Sequence, residues 1–415
     1  MKIPIYITFL FSLSLTAQAQ FSHIQFGDLT QTSYFSLDGH SLFYSNSIST
    51  KTLRTFYGNN YIDNETKESV SYRRPISAIS DIHAGIQYIW LPDTQKSRLG
   101  VYAYAGTRHM RGGLIAPAFY ELAMFGNSRF AGEFANLSNS RFLSADYQKL
   151  SLGIAVRLSS DSSRSFAAIH VAPVKGQRYM EGETASTYFY TSETGELLSL
   201  QAQALYLSSD QSHRRNQDFA GTGYAIGAML YIHNPARNFW VYTSINDIGS
   251  VKWKYKSYRT HIDTSIYFSG IFIDNVFSFD SSLLHLSSDT LKKILETYTD
   301  TLPFRRSLPE SFYLESGKYF PSCKLTVSGS LHYISRTGMP LPRIQAGISY
   351  KLNDYFQPYL SFSHGGAGRF AFGGGISSTP FKGFSFHICT PDLLAYTIPA
   401  RSYANGVWLK ISYKM

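Results

Sequence analysis

Apolar residues occupy every second position in many segments of this 415-residue chain. In 152–158, Leu152, Ile154 and Val156 alternate with small residues, and the same spacing returns in 343–352. Because successive side chains of a strand point to opposite faces, this spacing places one face in lipid and the other in water. The pattern predicts an all-β fold, a transmembrane antiparallel up-and-down barrel.

The amino-terminal residues have the form of an export signal. Lys2 precedes an apolar stretch at 3–15, and Ala17 and Ala19 stand three residues and one residue before a cleavage point that leaves Gln20 first. As an alternative, the stretch is an amino-terminal anchor, but it is shorter than the ~20 residues of a spanning helix. The sequence predicts a signal peptide at 1–19, and Gln20 in place of cysteine argues against a lipid-anchored product.

Composition supports a barrel over a bundle of membrane helices. The mean hydropathy is −0.15, and beyond the signal no window contains 18 consecutive apolar residues. The 31 Tyr and 30 Phe suit rings of aromatic side chains at the two membrane interfaces. A large secreted β-sandwich has a similar composition and is the alternative. We predict location in the outer membrane of a Gram-negative bacterium.

Strand candidates of about 9 to 11 residues recur along the chain, which is the length of a tilted strand that crosses a membrane. Counting them predicts about 14 strands, within 12 to 16 and even in number. The expected division is a signal at 1–19, an amino-terminal segment with a plug-like role at 20–45, and the barrel at 46–415. Long connections such as 390–405 are expected outside, and both termini in the periplasm.

Two short helices interrupt the alternation. The segment 117–125 begins with Pro and ends before Gly126, which are helix boundary signals. The segment 289–298 repeats apolar residues at helical spacing. We assign 117–125 to a plug or a loop, and 289–298 to an external loop, where it either caps the barrel or only packs.

The charge and the cysteines restrict the partners. A formal charge of +10 is spread over loops rather than gathered beside stacking aromatics, which argues against nucleic-acid binding and favours contact with anionic lipopolysaccharide. Cys323 and Cys389 either form a bridge or stay as two free thiols, and they build no metal cluster. The sequence contains no catalytic or cofactor motif of the common types, so we predict no enzyme, no metal and no cofactor.

The carboxyl-terminal strand keeps apolar side chains in one phase. Its members are Val407, Leu409, Ile411, Tyr413 and Met415. The strand resembles the terminal signal that the barrel-assembly machinery reads, which implies that this machinery is a partner. That signal usually ends in Phe or Trp, so Met415 is a departure.

The segment 239–253 resembles a segment of a Bacteroidota outer-membrane barrel family whose function is not established, as do 117–127 and 308–312. The family is similar in build to fatty-acid transporter barrels and to barrels that accompany type IX secretion. Within 239–253, we interpret Asp247 and Gly249 as a turn that ends a strand, and Trp253 as an interface anchor. The functional alternative for Asp247 is a ligand-binding role in the lumen.

Two functions from different classes follow. The first is a channel or conduit for a small hydrophobic ligand. The second is a scaffold without transport activity that binds secretion or gliding machinery through external loops. Uptake by vesicles tests the first function, and co-purification of a partner tests the second.

Overall fold

The computed structural model describes residues 33–58, 61–92, 97–158, 165–210, 219–268, 299–338 and 341–414. These residues contain 19 strands that join into a single sheet. The strands are β1 Ser33–Ser45, β2 Ile76–Trp90, β3 Leu99–Ile115, β4 Phe134–Asn136, β5 Arg141–Arg157, β6 Phe166–Thr191, β7 Leu198–Ser208, β8 Gly221–Asn234, β9 Phe239–Trp253, β10 Tyr258–Phe268, β11 Thr299–Thr301, β12 Phe304–Ser307, β13 Ser311–Phe320, β14 Leu325–Ile334, β15 Arg343–Tyr350, β16 Phe356–Gly365, β17 Ala371–Phe381, β18 Phe384–Thr390 and β19 Ala404–Lys414. The helices are α1 Thr50–Tyr57, α2 Asn64–Glu68, α3 Pro117–Phe125 and α4 Leu394–Thr397.

Fourteen of the described strands form a closed antiparallel barrel. The order around the wall is β1, β2, β3, β5, β6, β8, β9 and then β13 through β19, and β19 pairs with β1. Closure leaves no unpaired wall edge, which a spanning sheet requires because lipid offers the backbone no hydrogen bonds. The predicted fold class and the predicted strand number are both confirmed.

Two assignments of individual strands were wrong. Residues 33–45, which we had placed in the amino-terminal segment, form wall strand β1, so the barrel does not begin at residue 46. Their lipid-facing positions include Gly39 and Ser41, which weakened the apolar alternation. Conversely, the residues 197–208 are one of the strand candidates counted for the barrel, but the strand there, β7, lies outside the wall, paired with the far half of β6 and with β10.

The helix predicted at 117–125 is confirmed as α3, which Gly126 ends at φ +79°. It lies in the connection between β3 and β4, and Tyr120 packs against Val70 and Ile76. The helix predicted at 289–298 lies outside the described residues, as do 20–32 and the signal at 1–19. No helix in the described ranges is long and apolar enough to span a membrane.

The outer surface has an aliphatic belt between two aromatic rims. The belt includes Ile82, Ile86, Leu152, Ile154, Ile169, Val171, Ile344 and Ile348. One rim includes Phe35, Trp90, Phe239, Phe320, Tyr350, Phe356 and Tyr413, and the other includes Phe142, Tyr224, Phe312, Tyr333, Phe362 and Phe370. An apolar band between aromatic girdles is the lipid-facing surface of a membrane barrel, and it matches the rings predicted from composition.

The two ends of the barrel differ in their connections. At one end, which we call the short-turn end, the strands are joined through 91–98, 158–165, 235–238, 321–324, 351–355 and 382–383. The opposite, long-loop end includes 46–75, 116–140 and 391–403. Here β6, 26 residues long, continues beyond the wall and pairs with β7 and β4. We call the sheet of β4, β7, β10, β11 and the far half of β6 the extension.

The interior is filled largely by aromatic side chains from the wall itself. A cluster nearer the short-turn end includes Tyr34, Tyr102, Phe166, Tyr231, Trp240 and Tyr313. A second cluster, around Tyr147, Tyr179, Val251 and Trp253, packs along β5, β6, β8 and β9. Cys323 is exposed in the 321–324 turn, whereas Cys389 is buried inside, and both thiols are free.

Candidate functional site

A chamber of about 150 Å³ lies inside the barrel, in contact with inward positions of β1, β2, β3, β9 and β15. Leu42, Ile79 and Ile334 give it apolar walls, and the turn at 365–367 borders it at the long-loop end. Tyr102, Tyr242 and Tyr313 border it on the other side and belong to the aromatic cluster nearer the short-turn end. The chamber therefore occupies the lumen between a packed aromatic layer and the long-loop end.

A β-bulge in β9 places Asp247 at this chamber. Ile226 of β8 pairs with Ile248, but Ala228 pairs with Ile245, so two residues of β9 face Gly227 alone. Asp247 sits in the left-handed region at φ +65°, which Asp tolerates better than most residues. The bulge therefore turns an acidic side chain inward, where it is only 2% exposed.

The bulge also reverses the alternation of β9. Before it, the even-numbered Trp240 and Tyr242 are buried inside, and after it, the odd-numbered Val251 and Trp253 are buried inside. Trp253 is 2% exposed, and its ring centroid lies 5.2 Å from that of Tyr179. The prediction of Trp253 as an interface anchor is wrong because the extra residue moved its side chain from the lipid face to the interior.

Asp247 is held by three inward-facing groups from strands β3 and β5. Arg108 donates from Nη1 to Oδ2 at 3.2 Å, Tyr147 donates its hydroxyl to Oδ2 at 2.9 Å, and Lys149 pairs with Oδ1. These contacts span the lumen, since β3 and β5 adjoin each other and β9 is further round the wall. They tie two parts of the barrel together through a buried carboxylate.

Arg108 extends the network to β2 and β1. Its Nε and Nη2 reach the two oxygens of Asp81 at 3.0 and 2.8 Å, a bidentate pair, while Nη1 reaches Asp247. His40 Nε2 lies 2.9 Å from Asp81 Oδ2. The guanidinium of Arg108 thus pairs with two carboxylates, and it balances the negative charge of both acids in a site that is largely shielded from water.

The other side of the chamber carries two further cations. Lys410 of β19 lies directly opposite Asp38 of β1 in the strand register, and both side chains line the chamber. Arg343 of β15 donates to the hydroxyls of Tyr44 and Ser363, the latter at 2.8 Å. The described lining therefore has four Arg or Lys and three Asp side chains, together with His40, His83 and His332.

The structure brings together only part of what the sequence singled out. Asp247 lies in the lumen, which fits the functional alternative, but the segment is not a turn because it lies within β9. Gly249 is needed there because a Cβ would stand 2.0 Å from the carbonyl oxygen of Tyr224. The chemistry of the site resides equally in Arg108 and Arg343, which the sequence analysis missed.

The remaining predicted residues divide between wall and undescribed ends. Leu409 shares the outward face of β19 with Ile411 and Tyr413, because its register partner Ile388 is exposed there, although Leu409 itself is covered and only 6% exposed. Trp408 and Lys410 face inward, as the alternation predicted. Reading by the assembly machinery stays a prediction. Ala17, Ala19, Gln20 and Met415 lie outside the described residues. Among the described residues, no group of His, Cys, Asp and Glu is arranged to hold a metal ion.

The fold and the lumen define a closed β-barrel of outer-membrane type with a charged internal chamber. The chain belongs to the Family of unknown function (DUF5723), whose model matches residues 119–390. No curated protein matches the chain.

Solved structures similar to this chain include three barrels. The Pseudomonas putida toluene transporter TodX has 10% identity and a TM-score of 0.42, with 92% of this chain and 90% of that chain covered. The Ralstonia pickettii toluene transporter TbuX has 9% identity and a TM-score of 0.40, with 93% and 90% covered. A Pseudomonas aeruginosa FadL homologue has 9% identity and a TM-score of 0.41, with 92% and 90% covered. At such scores the function of this chain has to be argued from its own residues.

Proposed function

We propose that this protein is an outer-membrane channel that passes small molecules with apolar surface through its lumen. The observation that carries the proposal is the chamber, which lies inside a closed wall and has room for a ligand among apolar and aromatic side chains. Aromatic and aliphatic walls with a few placed polar groups are typical of sites for small molecules. The lipid-facing belt supports the membrane location.

The proposal includes an orientation, with the short-turn end in the periplasm and the long-loop end outside. An outward-facing cluster at the long-loop side of the belt supports it. Arg111 and Arg178 pair with the buried Asp146 at 2.5 and 2.8 Å, and His109 lies 3.3 Å away. Because cations outnumber acids in this cluster, it suits anionic headgroups such as those of lipopolysaccharide.

Vesicle swelling tests the passage of molecules, with the purified full chain in liposomes and neutral solutes of graded size. Leu42 faces the chamber from β1, and Leu42→Trp places the largest side chain in the path. The adjacent Ser41 is exposed on the outer face, so Ser41→Trp is a matched control. We expect swelling in the unaltered protein and in Ser41→Trp, and its loss in Leu42→Trp. Swelling that is absent in all three proteins, or equal in all three, contradicts the proposal.

The second candidate is a scaffold, and the extension favours it. Strand β10 pairs with β7 over its whole length, but its other edge is paired only at 258–260 within the described residues. Tyr267, near the end of this strand, is 67% exposed. A strand edge that is unpaired, as 261–268 is among the described residues, is of the kind that accepts an added strand. Cross-linking from position 263 in intact cells tests this role, and the absence of any cross-linked protein argues against it.

A further inference from the structure

Arg343 differs from the other cations of the chamber in its partners. Arg108 and Lys149 form ion pairs with Asp247, and Lys410 faces Asp38 across the strand pair. In the described part of the chain, no carboxylate forms an ion pair with Arg343, and its register partners are His332 and Gly365 rather than an acid.

The partners of Arg343 are neutral. Its guanidinium donates to the hydroxyls of Tyr44 and Ser363 and lies 4.2 Å from the centre of the Tyr44 ring. These contacts orient the group without neutralising its charge. A half-buried charge is stabilised far better by an opposite charge than by hydroxyls. The planar fork of Arg also matches a carboxylate, which accepts two parallel hydrogen bonds.

The space beside Arg343 is apolar on several sides. Ile79, Ile334 and Ala367 pack with Tyr44, the ring on which Arg343 lies, and Leu42 and Tyr359 also line the chamber. A cavity of about 150 Å³ with apolar walls is of the size that holds benzene. A ligand that fits both features has a compact apolar body and one negatively charged end.

We propose that the chamber binds small carboxylates whose apolar body is about the size of a benzene ring, with the carboxylate paired to Arg343. This inference rests on the proposed function, since it names the substrate class of the same chamber. Tyr44 and Ser363 position the guanidinium, and the apolar residues contact the body of the ligand. Arg108 and Lys149 are paired with Asp247, and Lys410 has Asp38 opposite it in the strand register, so Arg343 is the cation of the described lining that a carboxylate reaches as its first partner.

Calorimetric titration of the detergent-solubilised full chain tests this with benzoate, benzamide and acetate. Benzamide has nearly the shape of benzoate without its charge, and acetate has the charge without the ring. We expect benzoate to bind at least about 10-fold more tightly than either, because a charge-assisted contact and the burial of a ring each contribute more than that factor.

Arg343→Gln removes the charge, and we expect it to weaken benzoate at least about 10-fold while it leaves benzamide unchanged. Arg343→Lys keeps the charge without the fork and is expected to be intermediate. Arg73, exposed in the connection between α2 and β2, provides the control Arg73→Gln, which is expected to bind benzoate as the unaltered protein does.

Equal binding of benzoate and benzamide by the unaltered protein overturns the proposal, and this comparison holds even where a variant does not fold. Acetate that binds as tightly as benzoate overturns the apolar part of the proposal. Swelling by neutral solutes separates this inference from the channel function. Swelling without selective benzoate binding refutes only the ligand class, whereas benzoate binding without swelling refutes only the passage.

Discussion

Replacement of Asp247 by Asn removes one charge from the centre of the luminal network and leaves its shape in place. Asn tolerates the left-handed backbone at φ +65°, so the bulge itself is retained. Asp247 is 2% exposed, and the side chains of Arg108 and Lys149 are 11% and 13% exposed. The substitution therefore tests the value of a buried carboxylate whose partners cannot turn to water.

The expected loss of folding free energy follows from the contacts that Arg108 and Lys149 keep after the substitution. Arg108 retains its bidentate pair with Asp81, whereas Lys149 loses its acidic partner. Removing one member of a buried ion pair costs about 3 to 5 kcal/mol, and the compensation left to Arg108 places this case near the lower figure. A loss of about 3 kcal/mol is a roughly hundred-fold change in the unfolding equilibrium.

Urea unfolding of the protein in lipid vesicles, followed by tryptophan fluorescence, measures this difference. Asp263→Asn is the control, because Asp263 is exposed on β10 and its contact with Gln203 is 3.4 Å long. The control is expected to change stability by less than about 0.5 kcal/mol. The double variant Asp247→Asn with Lys149→Met is expected to recover part of the loss, since no unpaired charge remains. A cost for Asp247→Asn no larger than that of the control refutes the reasoning.

Three further outcomes are expected. Of the four tryptophans, Trp90 alone faces lipid, at 38% exposed. Brominated lipids are therefore expected to quench the tryptophan fluorescence of the unaltered protein and hardly that of Trp90→Phe. Strong quenching in that variant contradicts the inward placement of the other three tryptophans. Cys323 lies at the short-turn end, so an impermeant maleimide is expected to label it only after cells are opened, and labelling of intact cells reverses the proposed orientation. The hydrogen bond from Arg129 lowers the pKa of Glu68 below its usual value, so this contact is present at neutral pH and is lost as the pH falls through the lowered pKa. The rate of hydrogen exchange in α2, corrected for intrinsic rates, is expected to rise over that pH range. In Glu68→Gln this pH dependence of the exchange rate is expected to disappear.

The alternation predicted the barrel because a membrane wall imposes one rule on every strand. The alternation failed to indicate β1, because Ser36, Asp38 and His40 occupy its inner face and small residues replace part of the apolar residues on its outer face. The alternation also predicted that β7 belongs to the wall, because the strands of the extension have the same alternating pattern although they lie outside the wall. Periodicity reports that a residue lies in a sheet, but it does not report which sheet neighbours that strand has.

The site was largely out of reach of sequence reasoning. Arg108 and Asp247 are separated by 139 positions along the chain and meet only after the wall has closed. The bulge left a trace, since after the outward-facing Phe239 the aromatic positions change from even at Trp240 and Tyr242 to odd at Trp253. That change of parity was the signal for an extra residue between them.

The bulge makes the protein sensitive to chain length at one position. Deletion of a single residue at 246–247 restores regular pairing with β8, but it rotates everything that follows in β9 by half a turn. Val251 and Trp253 then face the bilayer, and Lys252 enters the interior. A length variant at this position reverses the sidedness of the end of a strand, although its composition barely changes.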